Sequence, residues 1–187
     1  MKYYLSFLLI LSFAGSTVAQ GPKIDASLGY PVPIGDNFVG ALYTSLIDLG
    51  GGYRFEETDL LKFGVSFNGS FLFNSANPDV TVNTYLLQPR LFAELKLEDA
   101  EMVHPAVGIG YAVMIFDVAG ASNGFDVSGS GSQSGFNLNL RVAVDLSKRI
   151  FAQLQYDFIK LNIPEGIPAT PFNTNINIVK PGLGYRF

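Results

Sequence analysis

The sequence has no cysteine, no tryptophan and a single histidine, and only 15 % of its residues are charged, against about 25 % in ordinary globular domains. Without cysteine there is no disulfide framework and no thiolate metal site. With one histidine besides, a transition-metal centre lacks ligands. No run or stripe of Lys and Arg is present and the formal net charge is −4, which excludes nucleic acid as an expected partner. Long apolar runs are missing too. Tyr3 to Ala14 is apolar except for Ser6 and Ser12, shorter than the ~20 residues a helix needs to cross a bilayer. No later segment approaches even about 18 continuous apolar residues, so no transmembrane helix is expected.

The short apolar run has another reading. Met1-Lys2 gives a positive start, and Thr17-Val18-Ala19 sets small or tolerated residues where signal peptidase cuts. Residues 1–19 are therefore expected to be a cleaved export signal, with the mature domain spanning 20–187. No cysteine lies near that cleavage site, so lipoprotein anchoring is not expected.

What the chain does have is apolar bulk: 48 % hydrophobic residues, with 16 Phe and 9 Tyr. They recur with period two, the signature of strands. Phe136 to Leu146 is the clearest case. Phe136, Leu138, Leu140, Val142, Val144 and Leu146 share one face, and Asn137, Asn139, Arg141, Ala143 and Asp145 the other. The same alternation runs through Lys23–Val32, Tyr43–Phe55, Leu61–Phe73, Tyr85–Leu97, His104–Val118, Ile150–Phe158 and Thr174–Phe187. Eight strands are predicted.

Their connections alternate between two kinds. Glu56–Leu60, Glu98–Val103 and Ser147–Arg149 are short and charged. Pro33–Leu42, Ser75–Val82, Gly120–Gly135 and Pro164–Asn173 are mostly longer and rich in Gly, Pro, Asn and Ser. In an up-and-down meander all short turns fall at one end, together with both termini. Gly50-Gly51-Gly52-Tyr53-Arg54-Phe55 is echoed by Gly182-Leu183-Gly184-Tyr185-Arg186-Phe187, which implies the same environment used twice at the short-turn end.

Volume decides which face is inside. Eight closed strands leave an interior only just filled by side chains, too small for so many aromatic and branched residues, and this weighs against a soluble lipocalin-like carrier, the fourth alternative. The small and polar set fits: Gly29, Gly50, Gly52, Gly64, Ser66, Gly108, Gly110 and Ala112 leave room for longer polar groups. The predicted fold is thus an all-β, eight-stranded antiparallel up-and-down transmembrane barrel, since an open edge in lipid leaves backbone groups unpaired. Aromatic girdles are expected at Tyr30, Tyr43, Phe71, Phe73, Tyr85 and Phe136 toward the loops, and at Tyr53, Phe55, Phe63, Tyr185 and Phe187 toward the turns.

Asp25, Asp48, Arg54, Lys62, Arg90, Glu94, Lys96, Arg141, Asp145, Asp157, Lys180 and Arg186 fall on the lumen phase. Charges in a narrow lumen need partners. Asp48, Arg90, Glu94, Arg141, Asp145 and Asp157 are therefore expected to form a structural network that plugs the barrel; a gated ion path is the alternative. His104 is expected at the rim. Ser66 and Ser70, the candidate nucleophiles a histidine base would need, lie inside. No catalytic residue, cofactor or metal is expected. The segment Ser128-Gly129-Ser130-Gly131-Ser132 lacks the Gly-Lys-Ser/Thr ending of a phosphate loop and is expected to be a flexible outer loop. The Asn68-Gly69-Ser70 sequon lies mid-strand and is discounted. Phe125 and Phe172 are loop aromatics available to a partner.

The last strand sets Val179, Leu183, Tyr185 and Phe187 at alternate positions, with Pro181 between them. With this ending, the chain over residues 20–187 resembles the small OmpA/OmpX-type outer-membrane β-barrels, in the stand-alone form found in Bacteroidetes-like bacteria. The resemblance implies an outer-membrane location with periplasmic termini and lipid around the barrel. It also implies that Val179, Leu183, Tyr185 and Phe187 act as the signal read by the barrel-assembly machinery during insertion. The chain stops at Phe187, so the peptidoglycan-binding domain of full-length OmpA relatives is not expected. Roles in the family run from envelope integrity, adhesion and resistance to host defences to lipid A modification. A non-enzymatic barrel with four outer loops facing an extracellular ligand is the leading expectation; a narrow porin-like channel and a lipid A-modifying enzyme are the alternatives.

Overall fold

The computed structural model describes residues 23–77, 79–122 and 125–187; the expected export signal, 1–19, lies outside the described residues. Period-two segments become strands: β1 (Ile24–Gly29), β2 (Val32–Ile34), β3 (Thr44–Glu57), β4 (Leu61–Asn77), β5 (Val80–Leu95), β6 (Val103–Ser122), β7 (Phe125–Asp126), β8 (Gly129–Asp145), β9 (Ile150–Leu161) and β10 (Asn175–Arg186). Two short helices interrupt them, α1 (Phe38–Leu42) and α2 (Pro171–Thr174). Among the described residues no helix is long and apolar enough to cross a membrane.

Eight strands pair in the order β1-β3-β4-β5-β6-β8-β9-β10, all antiparallel, and β10 returns to β1 with Asp25 opposite Arg186 and Gly29 opposite Gly182. The sheet therefore closes and has no edge in its wall. β2 continues β1 along β10 after a break at Tyr30-Pro31, where the Tyr30 N–H still donates to the Pro181 carbonyl at 3.0 Å. β7 is a short hairpin partner of β6. Pro89 lacks an N–H, so the β5–β6 ladder skips it and resumes unshifted, with Leu87 opposite Val113 and Arg90 opposite Gly110.

The alternation fixes the faces. Leu28, Leu49, Leu91, Ile109, Leu140, Leu154 and Leu183 are exposed on the outside, while Asp48, Arg90, Glu94, Asp157 and Lys180 are fully buried inside. One expected girdle member differs. Leu46 bulges between Ser45 and Ile47, so two successive residues face outward and the phase above them inverts. Tyr43 is turned inward by that bulge and packs against Phe38 and the lumen core.

Two expected loops are corrected as well. Ser75–Val82 shrinks to a tight hairpin, because β4 runs to Asn77 and β5 begins at Val80. The Gly/Ser segment is not a flexible loop: Gly129 to Gly135 form the start of β8, paired with Val118 to Ala112 of β6. Backbone hydrogen bonds to a β-rich neighbour override its weak intrinsic preference. β4, β5, β6 and β8 therefore stand as a sheet beyond the end of β9, whose last pair is Leu161 with Gly135.

The lumen changes character along its length. Toward the loops it holds an apolar core of Leu72, Leu86, Met114, Ile159, Ile176 and Ile178, capped by Val39 of α1. The helix is anchored there by the buried Asn37, whose side chain accepts from the Gly40 N–H at 2.9 Å and donates to the Ile34 carbonyl at 2.7 Å. Only small and polar residues are expected inside from the sequence; these inward apolar residues lie on the lumen phase but above the charged ones.

Candidate functional site

The lumen below the apolar core holds the buried charges, and they fall into two layers. In the inner layer Asp157 accepts from Arg90 Nη1 at 2.7 Å and from Asn139 Nδ2 at 2.9 Å, and pairs with Lys180 Nζ at 3.0 Å. Lys180 also donates to Asp48 at 2.8 Å and to Gln88 Oε1 at 2.6 Å. Asp48 in turn accepts from Asn68 Nδ2 and Ser70 Oγ, each at 2.5 Å, and Arg90 donates to Asn68. Two cations and two carboxylates thus neutralise one another across the barrel, away from water.

The second layer lies toward the turns. Arg54 bridges Asp25 at 2.7 Å and Glu94 at 2.8 Å, and Arg141 donates to Glu94 at 3.0 Å. His104 Nε2 lies 2.9 Å from Asp145 and its Nδ1 3.6 Å from Glu94. Arg186 donates to Asp145. Below this layer a vestibule of about 760 Å³ opens at the turn end, lined by Lys23, Lys62, His104, Asp145, Lys148 and Arg186 among others.

Two aromatic rings are built into this layer. Phe92 lies over Gly64 and Phe151 over Gly184, each the directly opposite residue on the neighbouring strand. The rings fill the space the glycines leave. The guanidinium of Arg141 sits 5.1 Å from the Phe92 centroid and that of Arg186 4.8 Å from the Phe151 centroid. A Cβ on Gly184 would lie 2.1 Å from the Phe151 ring. Gly184→Val is therefore expected to cost about 1–3 kcal/mol by overpacking, read as a lower urea midpoint for the compact form on unboiled gels.

Of the residues singled out from sequence, Asp48, Arg90 and Asp157 sit in the inner layer, and Glu94, Arg141 and Asp145 in the outer one. Lys180, at the centre of the inner layer, had been placed on the lumen phase but not in the network; it meets Asp48 only through closure of the ring. Asn68, Gln88 and Asn139, all on the inward phase of their strands, complete the layer as neutral hydrogen-bonding partners. His104 lies beside two carboxylates at the vestibule, whereas Ser70 donates to Asp48 in the inner layer. Among the described residues no serine bonds to His104, and no cluster of His, Asp and Glu fits a metal ion. Val179, Leu183, Tyr185 and Phe187 share the outward face of β10 and its end.

The loop end is acidic. It carries Asp36, Asp79, Asp117, Asp126 and Glu165, and Lys160 as the one cation there among the described residues. Lys160 is occupied by Thr174 at 3.0 Å and Asn175 at 2.8 Å. Ser128, through its hydroxyl and its backbone N–H, holds the Asp126 carboxyl below the usual carboxylate range.

Residues 5–187 match the family described as outer membrane protein beta-barrel domain. No curated protein matches the sequence. Among solved structures, the chain is similar in fold to Ail, the attachment invasion locus protein of Yersinia pestis. That match has a TM-score of 0.59 at 12 % identity over 90 % of this chain and 100 % of Ail. A further structure shows that protein in complex with the heparin analogue sucrose octasulfate. The N-terminal β-barrel domain of Pseudomonas aeruginosa OprF matches at a TM-score of 0.53, with 13 % identity over 90 % of this chain and 100 % of that domain. Neisserial surface protein A matches at 0.53, with 15 % identity over 90 % of this chain and 98 % of that one.

Proposed function

The chain belongs to the outer membrane protein β-barrel family, and we propose that it serves there as a plugged, non-enzymatic barrel that presents its loop end to partners. The observation that carries this reading is the filled lumen. From the loop end, an apolar core, a neutralised charge layer and an aromatic-braced charge layer follow one another along the axis, and α1 covers the loop-end mouth. A pathway for ions would have to cross all three. Planar-bilayer recordings of the refolded barrel are expected to show no conductance steps above background; steps of a fixed size would favour the porin-like reading instead.

The wall is tallest at the loop end, where four strands extend beyond β9 and end in exposed β7 and its neighbours. This fits a surface that meets a partner more than it fits a catalyst. Its chemistry selects the partner's sign. With exposed carboxylates and, among the described residues, a single cation that is already bonded, the loop end suits a neutral or basic surface. A sulfated polyanion such as the one bound by Ail is not expected to bind. Heparin-affinity retention at low salt would contradict this.

On this reading the turns and termini face the periplasm, and the outward row Val179, Leu183, Tyr185 and Phe187 is what the assembly machinery reads. Because the chain lacks cysteine, single substitutions report orientation cleanly. A membrane-impermeant maleimide on intact cells is expected to label Ile167→Cys, beyond β9, and to leave Asp99→Cys, in the turn before β6, unlabelled. The reverse pattern would invert the barrel.

A further inference from the structure

A small cavity lies between the two charge layers. Arg90 lines it from the inner layer, Asp25 and Arg141 from the outer one, and Ser27, Ser66 and Ala106 from the wall. It offers the centre of a water molecule about 10 Å³, room for one and no more. Its lining is mainly polar, and a cavity of that size stays dry only where it is apolar. Three of the lining groups have hydrogen-bonding capacity to spare. The Ser27 and Ser66 hydroxyls have no partner among the described residues. The Arg141 guanidinium carries several N–H donors and donates only from Nη2, to Glu94 at 3.0 Å.

Arg141 is also a loose end of the outer layer. Asp25 bonds to Arg54, Arg54 to Glu94 and Glu94 to Arg141. This chain of charges crosses from β1 through β3 and β5 to β8. It stops with Asp25 and Arg141 at the same cavity and without a direct ion pair between them. Arg54 and Glu94 also line the vestibule, whereas Asp25 and Arg141 do not. Charge sets the occupant. Arg90 and Lys180 balance Asp48 and Asp157, and Arg54 and Arg141 balance Asp25 and Glu94. An ion of either sign would leave a net charge buried, so the cavity suits a neutral molecule that both donates and accepts.

We propose that this cavity is the site of one enclosed water that is a fixed part of the plug. The water accepts from Arg141, donates to Asp25 and takes the Ser27 and Ser66 hydroxyls as its remaining partners. It thereby closes the outer layer into a ring across the barrel. A water bridge of this kind holds nearly as well as a direct hydrogen bond. The site deepens the plugged-lumen reading and rests on it, since an open lumen would hold bulk water at the same place.

Proton-detected NMR of the vesicle-embedded barrel tests it, with magnetisation carried from water to the guanidinium and ammonium protons. Transfer is expected at Arg141 and not at Lys180, which is buried and lies off the cavity. Ala106 stands opposite Arg141 on β6, so Ala106→Val puts methyl groups into the cavity and should abolish transfer at Arg141. The milder double substitution Ser27→Ala and Ser66→Ala removes two of the water's partners and should weaken it. Exchanging chloride for sulfate at constant ionic strength should leave the Arg141 signals in place. Silence at both Arg141 and Lys180 overturns the water and keeps the plug. Transfer at both means a hydrated lumen, and overturns the plug reading and the site with it. Unchanged transfer at Arg141 in either folded variant overturns the proposal. So does a shift of the Arg141 signals when chloride is removed, which would assign the cavity to an anion.

Discussion

Replacing Asp157 with alanine is expected to cost about 3–5 kcal/mol of folding stability, the usual result of breaking a buried ion pair from one side. Asp157 is completely buried and takes Arg90, Lys180 and Asn139. Its loss leaves two buried cations facing Asp48 alone. The effect comes from uncompensated charge more than from lost attraction, and a second variant separates the two. Adding Lys180→Met to Asp157→Ala restores neutrality between Arg90 and Asp48, so the double variant should be more stable than the single one. The exposed pair Lys96 and Glu57, 3.0 Å apart at the rim, gives the contrast: Glu57→Ala should cost less than about 1 kcal/mol. Urea titration of vesicle-folded protein, followed by far-ultraviolet circular dichroism, measures all three. A change below about 1 kcal/mol for Asp157→Ala would contradict a tightly coupled, buried inner layer.

The second large effect belongs to the outside of the wall. Ile109 is 54 % exposed and pairs with the outward residues Leu91 and Leu138. It lies between the aromatic Tyr111 on the loop side and Val107 on the turn side of the same strand. Ile109→Arg is expected to cost about 2–4 kcal/mol in a bilayer, the penalty for a cation near the midplane of a barrel wall, and to slow insertion. In a soluble protein the same substitution at a half-exposed position would lie within about 0.5 kcal/mol. Folding yield into vesicles and the urea midpoint report the difference.

Strand identity and phase were legible in the sequence because period two is a strictly local signal. Phe136 to Leu146 shows it without interruption, and its inward row Asn137, Asn139, Arg141 and Asp145 could be named residue by residue. Which charge meets which could not be read the same way. Lys180 and Asp48 are 132 positions apart and meet only because β10 returns to β1 with a particular stagger. The bulge at Leu46 was invisible for a different reason. It inserts one residue, and its local trace is slight: an unbroken alternation puts Ser45 in the outward apolar row and Leu46 in the lumen row, the reverse of their observed faces, and Tyr43 falls on the wrong face with them. The Gly/Ser start of β8 has the composition of a loop, and its pairing with Val118 to Ala112 comes from its neighbour. The apolar core above the charges was also missed. Leu72, Leu86 and Met114 sit on the lumen phase, and alternation alone does not divide a lumen into polar and apolar levels.

Those differences sharpen the functional reading. The plug is layered, with charge pairs toward the turns and packed hydrocarbon toward the loops, and the aromatic rings over Gly64 and Gly184 brace the lower layer. All of it depends on one assignment: apolar residues outside in lipid, paired charges inside. The chain has no native tryptophan, so one introduced residue is a clean reporter of either face. Quenching by bromine-labelled phospholipids should be strong for Ile109→Trp on the wall and weak for Phe92→Trp in the lumen. Equal quenching at the two positions, or stronger quenching at 92, would contradict the account.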